Sequence, residues 1–170
     1  MNAVEPVAEP VRRVITGHDE NGVAKVWIDD MASNRKSTPN GIVSTLIWSS
    51  DASPATIPVG LDVEDMGARI LGTAPPPHGS RFAIIEFPPR TAGAMHRTDT
   101  LDLLVVMDGQ IDMQLDDSSV SLKRGDVMVQ RGTNHLWQNN SDTPARAAVV
   151  LLDAETLPID GALKGVVNAR

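Results

Sequence analysis

The sequence predicts an all-β sandwich or barrel, on three observations. Short runs rich in β-branched and apolar residues recur at close intervals, and many alternate apolar with polar side chains. Turn-forming pairs such as Asp108-Gly109 and Asp116-Asp117 separate alternating runs, which is the signature of hairpins. Helical patterning is confined to weak stretches near Leu61–Ile70 and in the C-terminal tail, where Pro158 and Gly161 interrupt it.

The elements follow in order. Met1–Pro10 mixes Pro, Ala, Val and Glu without periodicity and is expected to be a disordered terminus. Val11–Thr16 and Val23–Ile28 read as strands around a turn-rich loop, Gly17–Gly22. Met31–Gly41 is polar and reads as a flexible connection, and Ile42–Ser49 is a third strand. Asp51–Ser80 is long, irregular and proline-rich, the type of segment that serves as a lid or an oligomer contact. Arg81–Phe87 opens a denser series of strands, continued by Asp102–Met107, Gln110–Leu115, Val120–Lys123, Asp126–Gln130, Leu136–Asn139 and Ala145–Leu152.

Composition narrows the function classes. A chain of 170 residues with 41% hydrophobic and 22% charged residues is expected to form one domain with its own core. It has no Cys, which excludes disulfides, thiolate metal sites and Cys nucleophiles. A net charge of −7 argues against nucleic acid and anionic membranes as partners. Apolar runs such as Leu103–Met107 are too short to span a bilayer, and the first ten residues show no leader-like apolar stretch. A cytoplasmic protein is therefore expected. Neither a phosphate-binding glycine loop nor a serine-nucleophile elbow is present.

Two of the histidines, His96 and His135, lie in the strand-rich half. In extended chain His96, Thr98, Asp102, Leu104 and Val106 share a parity and can share a face. Trp137 shares the parity of His135, and Glu86 that of Phe82 and Ile84. Arg97 and Arg131 are each one position away from a histidine or its turn and are expected to point outward.

His96, Thr98, Asp102 and Gly109, followed by Gly125, Gln130, Gly132, His135 and Asn139, resemble the paired motifs of the cupin superfamily. Thr98 stands where that family has a second histidine, Asp102 where it has Glu, and Gln130 where it has Pro. The resemblance covers Arg81 to Asp153. It implies a jelly-roll β-barrel core over 81–153, with N-terminal strands and a long loop, 11–80, packed on the barrel or on a dimer partner, and a tail at 154–170. It also implies one divalent transition metal (Fe, Zn, Mn or Ni) held by His96, Asp102 and His135, the imidazole–carboxylate set of open metal sites. Thr98 and Asp102 are then the candidate catalytic residues, and Trp137, Leu104, Met113 and Glu86 the candidate substrate contacts. A homodimer is expected through the added N-terminal strands.

Two functions follow from this reading. One is a metal-dependent enzyme acting on a small organic molecule in the barrel pocket by oxygenation, decarboxylation, isomerisation or elimination. The other is a non-catalytic small-molecule-binding barrel with a degenerate metal site. Trp137 as the one aromatic wall favours small aliphatic or single-ring ligands.

Overall fold

A computed structural model describes residues 9–158 and the backbone of 167–168. Its strands are β1 (Arg12–His18), β2 (Ala24–Met31), β3 (Arg35–Ser37), β4 (Val43–Ser50), β5 (Ser80–Phe87), β6 (Thr91–Ala92) and β7 (His96–Arg97). They continue as β8 (Thr100–Asp108), β9 (Gln110–Gln114), β10 (Ser119–Lys123), β11 (Val127–Arg131), β12 (Leu136–Asn139), β13 (Ala145–Asp153) and β14 (Val167–Asn168). Among the described residues there is no helix, and the weak helical turn expected near Leu61–Ile70 is a single tight turn in which the Ala68 N–H donates to the Asp65 carbonyl at 3.0 Å. No helix among them is therefore long and apolar enough to cross a membrane. The expected tail helix and most of the expected disordered terminus lie outside the described residues.

Alternation in the sequence becomes alternation of burial. From Thr100 to Met107, β8 switches between inward and outward side chains, and β13 does so from Ala145 to Leu152. These two strands form the centre of a six-stranded sheet ordered β11-β8-β13-β5-β4-β3. A four-stranded sheet, β10-β9-β12-β6, supplies the second wall. Ile111 and Leu122 from the smaller sheet join Leu104, Val106, Ala147 and Val149 from the larger one in a single apolar cluster. The result is a jelly-roll barrel in which two antiparallel sheets close on one core.

Gly109 makes the β8–β9 turn at a φ of 70°, and a Cβ there would stand 2.5 Å from the Pro144 carbonyl oxygen. Only glycine fits this turn without displacing the neighbouring chain.

The N-terminal half is structurally tied to the barrel. β4 pairs with β5 along its length, and β3 then caps the sheet edge. β3 falls inside the stretch expected to be a flexible connection; its residues Arg35, Lys36 and Ser37 are all exposed and polar, so no apolar alternation marks it. The irregular segment after β4 is pinned by polar contacts in place of a ladder. Arg13 on β1 donates to Asp30 at 2.7 Å and to Asp65 at 2.6 Å. The Asn34 amide donates to the carbonyls of Gly67 and Arg69 at 2.9 and 2.7 Å. The Ser49 hydroxyl donates to the Met66 carbonyl at 2.9 Å.

Candidate functional site

Strand register builds the site in layers on the inner face of the large sheet. Gln130 on β11 pairs with Asp102 on β8, Asp102 with Leu151 on β13, and Leu151 with Arg81 on β5. One layer further in, Met128, Leu104, Val149 and Ala83 are aligned in the same way. The face is therefore polar at one end of the barrel and apolar where it meets the core. Between the sheets lies a cavity of about 710 Å³, a size suited to a small organic ligand.

On the other side His96 and His135 form an isolated antiparallel bridge in which each N–H donates to the other's carbonyl at 2.9 Å. Their ring centroids are 4.3 Å apart. The two motifs of the sequence thus meet through the backbone. Each ring is oriented by its own turn: His96 Nδ1 is 2.9 Å from the Ala94 carbonyl and His135 Nδ1 is 2.9 Å from the Thr133 carbonyl. A carbonyl only accepts, so both Nδ1 atoms carry the hydrogen, and Nε2 is left as the reactive nitrogen in each ring. Trp137 packs edge-on to His135 at 6.0 Å and against Phe87 at 6.2 Å.

Burial sets the protonation of the site. The His135 pKa is pushed down to about 4, mainly by loss of solvent, so its imidazole is neutral at ordinary pH. Burial pushes the Asp102 carboxyl up, against smaller opposing contributions from Thr100 and His96. Gln130 Nε2 donates to Asp102 Oδ2 at 3.1 Å, while Asp102 Oδ1 and Gln130 Oε1 are buried without a protein partner. Both orphaned atoms are acceptors as they stand, and a proton on the carboxyl group would turn one of them into a donor. Burial likewise lowers the Arg81 guanidinium pKa, though an arginine remains charged.

Of the residues expected from sequence, His96, Thr98, Asp102, Leu104, His135 and Trp137 line the cavity. Thr98 is buried, with its hydroxyl 2.7 Å from that of Thr100. Met113 is buried opposite Trp137 on the neighbouring strand and does not line the cavity. Glu86 is not among the lining residues either: it meets Arg35 at 3.6 Å and Arg146 at 3.5 Å and accepts the Glu9 N–H at 2.9 Å. Its parity partners Phe82 and Ile84 share that outward face, whereas Arg81, Ile85 and Phe87 face the cavity.

Arg81 is the residue that sequence reasoning passed over. Its parity with Ala83, Ile85 and Phe87, an apolar face carrying one charge, was the available signal. Lys36, Asn40, Gly72 and Thr73 also reach the cavity from the N-terminal half, and no barrel motif marks them.

The three expected metal ligands do not assemble as a set. Among the described residues no three His, Asp or Glu side chains are grouped to hold a metal ion. The imidazoles are paired, but Asp102 is engaged by Gln130. A resident catalytic metal commonly takes three protein ligands. The residues as they stand therefore do not fit a His96–Asp102–His135 site.

Comparison with known proteins agrees with the barrel. Residues 83–151 match the family model described as Cupin domain. The chain is 37% identical to "Phomopsin biosynthesis cluster protein D" of Diaporthe leptostromiformis, over 98% of this chain and 91% of that protein. It is 33% identical to "Cupin-domain-containing oxidoreductase fogC" of Aspergillus ruber, over 89% of this chain and 76% of that one. The crystal structure of a Cupin 2 conserved barrel domain protein from Salinispora arenicola aligns with a TM-score of 0.47 and 16% identity, over 71% of this chain and 82% of that one. On the family-model match and the cupin-domain relative that covers most of its length, and with both histidine motifs joined in one barrel, the chain belongs to the cupin superfamily.

Proposed function

We propose that this protein is a cupin-type enzyme that transforms a small organic molecule in the barrel cavity, with His96 and His135 at its reacting centre. The observation that carries this is the imidazole pair. Two Nε2 atoms are left to one cavity of about 710 Å³, and each ring is oriented through Nδ1 by its own turn. Fixing the ring in this way is how a fold prepares histidine for proton transfer. The relatives named as biosynthesis cluster proteins and as cupin-domain-containing oxidoreductases support a role in small-molecule metabolism.

In this reading the neutral His135 accepts a hydrogen bond or a proton from the bound molecule, beside His96. Burial raises the Asp102 carboxyl pKa on the sheet wall, so it takes up a proton more readily than an exposed carboxylate does. Two groups of opposite tendency in one cavity suit isomerisation or elimination next to a carbonyl. The apolar layer of Met128, Leu104 and Val149, with Trp137, offers an apolar wall to the body of the bound molecule. The test is metabolite profiling of a small-acid and small-carbonyl pool incubated with wild type and with His96→Gln/His135→Gln. Consumption of a compound by wild type alone is expected. A pool unchanged by both overturns the enzyme and leaves the binding barrel.

A second reading keeps a divalent transition metal on the imidazole pair alone, supported by the Nδ1 anchoring that metal-binding histidines commonly show. Calorimetric titration with Ni²⁺, Zn²⁺ and Mn²⁺, and anaerobically with Fe²⁺, tests it. Submicromolar binding lost in His96→Gln supports it, and no binding overturns it.

We further propose a homodimer, formed through the outer face of the large sheet in place of the N-terminal strands expected from sequence. Val129, Leu103, Val150 and Phe82 align across four strands there, and Val127 and Val105 extend the patch. Val127 and Val129 are 73% and 60% exposed, a burden for a lone barrel.

A further inference from the structure

Among the described residues, every other deeply set arginine has an acid beside it. Arg13 has Asp30 and Asp65, Arg97 has Asp99, and Arg146 has Glu9 and Glu86. Arg81 is the exception. It is 7% exposed, its Nη2 donates to Ser44 Oγ at 2.8 Å, and its buried Nε meets no protein acceptor. No ion pair joins it to a carboxylate of the described residues. Asp102, the one carboxylate among the described residues that line the cavity, lies in the same cross-strand layer on the far side of Leu151. That puts the two backbones about 10 Å apart at the usual strand spacing.

A buried guanidinium without a counter-charge is unfavourable, and folds rarely keep one unless something supplies the anion. Its planar fork matches a carboxylate through two parallel hydrogen bonds. Lys36, whose ammonium donates to the Leu71 carbonyl, adds a second positive charge at the cavity. The chain as a whole carries a net charge of −7, so this interior is cationic against the trend of the molecule. Below Arg81 the wall turns apolar through Leu104, Met128 and Val149.

We propose that Arg81 is a carboxylate anchor, and that the ligand of this cavity is a small organic acid with an apolar body. The acid group is held at the polar layer, and the body lies along the apolar layer toward Trp137 and the imidazole pair. This inference rests on the reading of the cavity as the substrate site and adds the substrate's class.

The test uses two probes of equal size that differ in charge, benzoate and benzamide, titrated calorimetrically into the full chain. Wild type is expected to bind benzoate at least tenfold more tightly than benzamide. Arg81→Gln is expected to lose at least tenfold in benzoate affinity while benzamide is unchanged, and Arg81→Lys to recover part of the loss. The wild-type preference can also be read from thermal-shift curves, which remain informative if Arg81→Gln does not fold. Equal binding of both probes, or a preference that survives in Arg81→Gln, overturns the carboxylate anchor and leaves the cavity reading standing. Binding of neither probe at millimolar concentration overturns the anchor. If metabolite profiling is then also negative, the cavity reading falls with it.

Discussion

His96 and His135 hold each other twice, through a reciprocal pair of backbone hydrogen bonds at 2.9 Å and through imidazoles whose centroids are 4.3 Å apart. The backbone bridge fixes the ring separation, so neither ring depends on a ligand to find the other. Truncating either side chain should therefore leave the fold intact while changing the site, which makes these positions clean probes of function.

The neutral state of His135 makes stability depend on acidity. Its pKa falls from 6.5 to about 4 on folding, so between those values the unfolded chain binds the proton and the folded chain does not. Stability contributed by this group is present above 6.5 and is lost as the pH falls toward 4, by about 3 kcal/mol at most. Urea midpoints of wild type are expected to drop between pH 7 and pH 4.5 more steeply than those of His135→Gln. Parallel profiles would refute the assignment.

Asp102 has the opposite sign. Its carboxyl pKa is raised by burial, so the folded state favours the protonated form. The stability this provides is complete below the unfolded carboxylate range and is lost as the pH rises through the folded value. Asp102→Asn keeps an acceptor for Gln130 and removes the charge. It is expected to melt higher than wild type at pH 8, to converge with it near pH 3.5, and to lose turnover. A variant less stable than wild type at pH 8 would show that the ionised form is the favoured one.

Arg13 joins three separate stretches of chain through Asp30 and Asp65. Its side chain is 8% exposed, whereas Asp30 and Asp65 are 47% and 27% exposed, so its removal loses the buried cross-link while both carboxylates stay partly solvated. Arg13→Met is expected to lower stability by about 2 kcal/mol. Proteolysis should then cut first between residues 51 and 79, where regular pairing is absent. Unchanged cleavage kinetics would show that the segment is held by other means.

The outer apolar face is testable by size. Sedimentation at micromolar concentration is expected to give a dimer, and Val129→Asp a folded monomer, because one charge in the centre of such a patch opposes its burial. A monomeric wild type would leave that face without a role.

The sequence showed the barrel where packing repeats with period two. β8, β9 and β13 carry their burial in their alternation, and Asp108-Gly109 marks a turn that Gly109 alone can make. It showed less where an element owes its existence to a neighbour. β3 is polar throughout and forms because β4 offers an edge, and β7 is two residues held by His135 and β14. Motif spacing located the imidazoles but not what Asp102 would face, since Gln130 arrives from a strand 28 residues away. Glu86 and Arg81 illustrate the same gap. Parity separates them onto opposite faces, but only the pairing of β5 between β13 and β4 shows which face is inner.

The match to the family model begins at residue 83, two positions after Arg81. Ser44, Lys36, Gly72 and Thr73 also precede that limit, and all line the cavity. The histidines thus lie inside the stretch that the family model matches, while the polar anchor and much of the rim precede it. Exchanging residues 30–82 between this protein and one of its relatives should move ligand preference from one to the other with the imidazole pair untouched. In that arrangement the entrance selects which acid is held, and the imidazole pair receives whatever the entrance admits.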